Sequence, residues 1–192
     1  MGETEGDIAG LLASWATGDR SGIDALFTLL YEELRRIANI HIGFRLRNQA
    51  LQPTELLNEA YLRLAGAAGL RVEDRAHFLA LACRAMRMVL VDAMRAAGRD
   101  KRGGGAVMIT LGSVQIPGQT CDPGVFLDLD AALTRLFALD AAQARMVELH
   151  YFAGLSYGEI AIETKVSEAT VHRHLRMAKA WLAHELSLPS AG

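Results

Sequence analysis

Two groups of side chains in this chain have the type and spacing needed to hold a polyanion. Arg84, Arg87, Arg95, Arg99 and Arg102 are separated by steps of three, four and eight residues, which places them on one broad face of a helix. A cationic helix face suits a single nucleic-acid strand, whose backbone needs cations and whose bases can leave the stack. The same pattern also suits a merely solvated helix face. The second group is Ser167, Thr170, His172, Arg173 and Arg176, compact enough to meet phosphates and base edges together. The chemistry implied is recognition, not bond-making. The chain has no Walker loop, no GxSxG and no HExxH, and GRDKRGGG lacks the strand-loop-helix setting of a phosphate cradle. His41, His77 and His150 fall in unrelated segments, while His172 and His174 sit beside cations. No catalytic residue, metal ligand or cofactor is therefore predicted.

The second group needs two short helices to position it. Residues 155–182 read LSYGEIAIETKVSEATVHRHLRMAKAWL. Ser156 with Glu159 three residues later forms a capping box that opens a helix with Ile160 and Ala161 inward. Residues 164–167 break it. Ser167 then caps a second helix whose Val171, Leu175, Ala178 and Leu182 share one stripe, leaving His172, Arg173 and Arg176 on the outside. This is the pattern of a helix-turn-helix that enters a major groove, or of a plain helical hairpin. The first group needs one long helix, residues 76–99, with Phe78, Leu81, Ala82, Ala85 and Val89 on its core face. A short polar loop, residues 71–77, precedes it.

The remaining sequence predicts an all-α protein of two small helical domains. Alanine and leucine dominate and only 6% of residues are aromatic, a composition that favours helix. The first block, residues 8–102, opens with Ile8, Leu11, Leu12 and Trp15. After GDRSG, Ser21 and Asp24 resemble a capping box for a helix reaching about His41, with Leu26, Leu30, Leu34 and Ile37 on its apolar stripe. Pro53 is placed as the first residue of the next helix, with Leu57, Ala60, Tyr61 and Leu64 inward and Glu55, Asn58, Glu59 and Arg63 outward. Residues 103–125 hold GGG, Gly112, Pro117, Gly118, Pro123 and Gly124 and read as a flexible linker, with a brief strand conceivable at 107–111. The second block, residues 126–188, begins with Leu129, Leu133, Leu136 and Leu139, continues through Val147, Leu149 and Phe152, and ends in the helix-turn-helix.

The net charge of −2 conceals a patterned distribution. Residues 84–102 carry six cations against two acids, residues 165–185 carry four against two, and residues 1–24 carry five acids and one arginine. Two basic islands in an acidic body imply two anionic contacts. No apolar run approaches a membrane span of about 18 residues, and the acidic N-terminus is unlike a secretory signal, so the chain reads as cytoplasmic with no membrane partner. Cys83 reads as a small core residue and Cys121 as a linker thiol.

Three stretches carry a family resemblance. QPTELLNEAYLRL, then RAHFLALACRAMRMVLVDAMRA with KRGGG soon after, and finally LDAAQARMVELHYFAGLSYGEIA resemble the bacterial extracytoplasmic-function (ECF) sigma factors, over nearly the whole chain. The resemblance implies promoter-directed transcription initiation with core RNA polymerase and promoter DNA as partners. Glu55, Asn58, Glu59 and Arg63 would meet the clamp helices of the largest polymerase subunit, with the second block near the flap region. The helix of residues 76–102 and its preceding loop would hold the melted minus-ten strand through Arg84, Arg87, Arg95, Arg99 and Arg102, with one base flipped from the stack. Ser167, Thr170, His172, Arg173 and Arg176 would read the minus-thirty-five element. Many relatives are held by an anti-sigma partner.

Departures from the family pattern sit at the turn and the second helix. Thr164-Lys165 replaces the usual Leu-Gly, and a lysine in a left-handed conformation costs about 1–2 kcal/mol, so either the turn differs in shape or Lys165 reaches a phosphate. Glu168 stands where proline is common, and His172 and His174 replace charged residues. Two alternatives go with them: a polymerase-independent helix-turn-helix regulator, and a degenerate sigma-like protein that sequesters a partner.

Overall fold

A computed structural model describes residues 2–43, 51–67, 72–100 and 123–187, all of whose regular structure is helical. Helix α1 spans Gly2–Ala16, α2 Arg20–Leu29, α3 Tyr31–Gly43, α4 Pro53–Gly66 and α5 Arg75–Asp100. After the segment outside the described residues come α6 (Pro123–Leu139) and α7 (Ala141–Val147), which runs on into a π-helical turn at Glu148–Phe152. Helices α8 (Tyr157–Thr164) and α9 (Glu168–Ser187) complete the order. The all-α fold class stands.

Local chemistry explains most boundaries. Asp19, not Ser21, caps α2: its carboxylate accepts the Ser21 N–H at 2.9 Å and the Ser21 hydroxyl at 2.8 Å. The single helix expected up to His41 is two helices, broken at Leu30. Leu30 is itself buried, as are Leu26, Leu34 and Ile37, so the break keeps the apolar stripe facing inward. Pro53 does open α4, behind Gln52 and with Glu55 closing a capping box. Asp74 caps α5 by accepting the His77 N–H at 2.7 Å.

The second block starts slightly earlier than residue 126, at Pro123. Asp140 caps α7 by accepting the Gln143 N–H, which ends α6 and leaves Leu139 69% exposed instead of in the core. The linker positions 103–122, with the conceivable strand and Cys121, lie outside the described residues.

One continuous apolar cluster runs through both blocks. In the first, Phe78 of α5 meets Trp15 and Phe27 edge-on, at 6.1 and 5.8 Å between ring centroids, a favoured aromatic geometry. Gly22 lets α2 cross α1 backbone to backbone, since a Cβ there would lie 2.6 Å from the Leu11 carbonyl oxygen. Helix α5 is the central strut. It packs on α3 and α4 of the first block and on α6, the π turn and α8 of the second. Its Ala82, Cys83, Met86, Leu90, Val91 and Met94 are all buried. Burial pushes the Cys83 thiol well above its ordinary value, which keeps it unreactive.

Candidate nucleic-acid interface

The outer face of α9 is built from its two caps and its inner stripe. Ser156 accepts the Glu159 N–H at 3.2 Å, and the Glu159 carboxylate accepts the Ser156 N–H at 2.7 Å. The Ser156 hydroxyl also donates to that carboxylate at 2.7 Å, and this bond, with the one from the Ser156 N–H, holds Glu159 below the usual carboxylate range. Lys165 closes α8 in the left-handed region at φ 56°, ψ 37°, so the turn keeps the shape that glycine ordinarily serves. Ser167 accepts the Thr170 N–H at 3.2 Å and starts α9. Val171, Leu175, Ala178 and Leu182 are buried. His172, Arg173, Arg176 and Lys179 are exposed, with Ser167 exposed and Thr170 half-buried beside them. The His172 ring rests edge-on against Tyr157, 5.7 Å between centroids. The expected recognition residues thus share one outward, cationic surface.

The arginines of α5 do not share one. Arg95 is exposed, 3.9 Å from Asp92. Arg84 lies over the Phe137 ring at 4.6 Å, a cation–π contact. Arg87 is 2% exposed, enclosed by Asp130 of α6, by Glu148 of the π turn at 2.7 Å, and by the Phe152 ring at 5.6 Å. Helical spacing alone placed Arg87 with the others. The face is divided because the second block covers part of it. Arg99 and Arg102 lie outside the described side chains.

The loop before α5 is similarly engaged. Arg75 pairs with Glu33 of α3 and Glu163 of α8, and Arg145 of α7 pairs with Glu73 at 3.1 Å and Asp74 at 3.8 Å. Partial burial, then Arg145, lowers His77 from its ordinary value. Asp130, Glu148, Glu163, Arg75 and Arg145 went unnoticed in the sequence. One signal was available: Glu148 interrupts the apolar run around Val147 and Leu149, and a buried carboxylate there needs a cation. Burial raises Glu148 while Arg87 opposes the rise.

On α4, Glu55, Asn58 and Glu59 are exposed. Glu55 also accepts the Gln52 N–H at 2.8 Å, and Arg63 pairs with Asp92 at 2.6 Å. Leu62, 54% exposed, adds an apolar side chain to the outer surface of α4 that periodicity did not single out. Asn58 also borders a shallow cavity of about 250 Å³ with Asp24, Phe27, Tyr31 and Tyr61.

The chain belongs to the ECF sigma factor family, whose profile matches residues 5–188. No curated protein and no solved structure matches. Membership makes this a sigma factor acting in transcription initiation, from a family that binds core RNA polymerase and promoter DNA and is often held by anti-sigma factors. Among the described residues, no helix is long and apolar enough to cross a membrane.

Proposed function

We propose that α9 reads the upstream promoter element from the major groove while α4 docks on the polymerase clamp. The observation that carries this reading is the outer face of α9. It offers Arg173, Arg176, Lys179 and His172 on a helix whose opposite stripe is fully packed. Such a helix can enter a groove without losing its own core. Arg173 and Arg176 would contact bases, with Ser167, Thr170 and Lys165 on phosphates. A bidentate arginine–guanine contact gives about 1–3 kcal/mol of discrimination.

Glu55, Asn58, Glu59, Leu62 and Arg63 would form the polymerase-facing patch. Downstream, Arg95, Arg99 and Arg102 would join Arg84 and Arg87 on the melted strand, the last two only once the second block leaves α5. In a reconstituted run-off assay with core polymerase, Arg173→Ala should lower initiation about tenfold or more at promoters that depend on the upstream element. Unchanged initiation there would remove the assignment. A free-duplex gel shift at physiological salt separates a polymerase-independent regulator, which would bind alone.

A further inference from the structure

We propose that Tyr157, backed by His150, is a positioning residue that fixes the His172 ring so that this histidine reads a purine edge in the upstream element. The inference rests on the reading of α9 as the groove-entering helix, and it names one base contact within that reading.

Four rings run in series from the π turn to the outer surface of α9. Tyr151 meets His150 at 4.7 Å between centroids, His150 meets Tyr157 at 4.9 Å, and Tyr157 meets His172 at 5.7 Å. The interplanar angles are 71°, 61° and 70°, so each contact is edge to face, a favoured arrangement of rings.

The inner end of the series is anchored. In the π turn the Ala153 N–H donates to the Glu148 carbonyl at 2.9 Å. Glu148, Leu149 and Phe152 take the buried side, which leaves His150 and Tyr151 half-buried. Turns of this kind recur at functional sites. His150 Nδ1 lies 2.8 Å from the Leu155 carbonyl oxygen, and a carbonyl only accepts, so the ring donates there. That bond sets the plane of His150 and the surface it offers to Tyr157.

The middle of the series is held by the first turn of α8. Tyr157 is the first residue of that helix, inside the Ser156–Glu159 capping box, and its side chain is half-buried. Gly158 lets the start of α9 come close, since a Cβ there would lie 3.0 Å from Glu168 Oε1. Glu168 and His172 are four residues apart and share one edge of α9. That edge is the one turned toward Tyr157 and Gly158.

The outer end is His172, exposed beside Arg173 and one turn before Arg176. An imidazole carries at least one N–H in either protonation state. N7 is the acceptor that both purines present in the major groove. A long arginine can search for its base, whereas a short histidine meets one only if its ring already points correctly. A ring held in place before binding loses less freedom on binding.

The test uses the full chain and core polymerase at a promoter from which they initiate, with the upstream element randomised and the transcripts sequenced. Wild type should prefer a purine on one strand at a position where His172→Ala lowers the preference about fivefold or more. Preferences at other positions should persist. Tyr157→Leu, which keeps apolar bulk without a ring, should flatten the same position, and Tyr157→Phe should retain it. His150→Leu removes the support without touching α9 and should weaken that position too. The double variant His172→Ala/Tyr157→Leu should lose no more than His172→Ala alone. A uniform loss across positions in His172→Ala would make His172 a phosphate contact and overturns the proposal. So does a uniform loss in both Tyr157→Leu and His150→Leu, or a His172-dependent position that both leave intact. Initiation by the wild type no stronger than by core enzyme alone would defeat the functional reading itself. Wild-type initiation with no position that moves with His172 would defeat this inference alone.

Discussion

Lys165 is the residue at which sequence and backbone conflict most plainly. It is the only non-glycine among the described residues with positive φ, and its backbone N–H still closes α8 onto Ala161 and Ile162. The turn geometry therefore won over the side-chain preference. Lys165→Gly should stabilise the protein by about 1 kcal/mol, since glycine enters this region freely, and urea unfolding would measure it. A destabilised variant would mean that the lysine side chain contributes more than its backbone strain costs.

His41 makes the second residue-scale prediction. Burial, then Arg87, lowers it to about 3, so the folded protein holds it neutral. A depressed base contributes stability above the unfolded value near 6.5 and loses it as pH falls toward 3, at about 1.4 kcal/mol per pH unit. Glu148, raised by burial, shifts stability the other way as acid is added. The comparison must therefore be between wild type and His41→Gln. The variant should gain on the wild type steadily as pH drops from 6.5 to 5 in denaturant titrations; parallel curves would show that His41 is not buried as described.

At the scale of elements, capping residues were the most legible signal in the sequence. Ser156–Glu159, Pro53 and Ser167 each open the helix expected of them. Ser156→Ala should cost about 1 kcal/mol, read as a lower denaturant midpoint with an unchanged slope; no change would mean that Glu159 alone satisfies the first turn.

Caps also account for differences between the sequence pattern and the fold. Asp19 outcompeted Ser21 because its carboxylate reaches both the N–H and the hydroxyl of that serine. Leu139 fits the apolar period of α6 but is its last residue, left 69% exposed just before Asp140 redirects the chain. Periodicity sees spacing within a helix, and it cannot see a neighbour that stops the helix. The α5 arginines show the same limit. Their spacing was read correctly, but Arg87 is taken by acids 43 and 61 residues further along the chain. No local pattern reports such a pairing.

For the molecule as a whole, the all-α class and the outward cations of α9 were legible because each follows from one helix's own period. The closed arrangement of the two blocks was not, because it depends on long-range ion pairs and on the close pass of Gly154 over α3. We propose that the two cationic helical surfaces, that of α9 exposed and that of α5 partly covered, serve a single promoter in the presence of polymerase.

Transcript 5′-end sequencing tests that account most directly, with purified core RNA polymerase on bacterial genomic DNA, with and without this protein. A defined set of new start sites should appear with the wild type and weaken at least tenfold with Arg173→Ala/Arg176→Ala. Identical start sites in the presence and absence of the protein would contradict it.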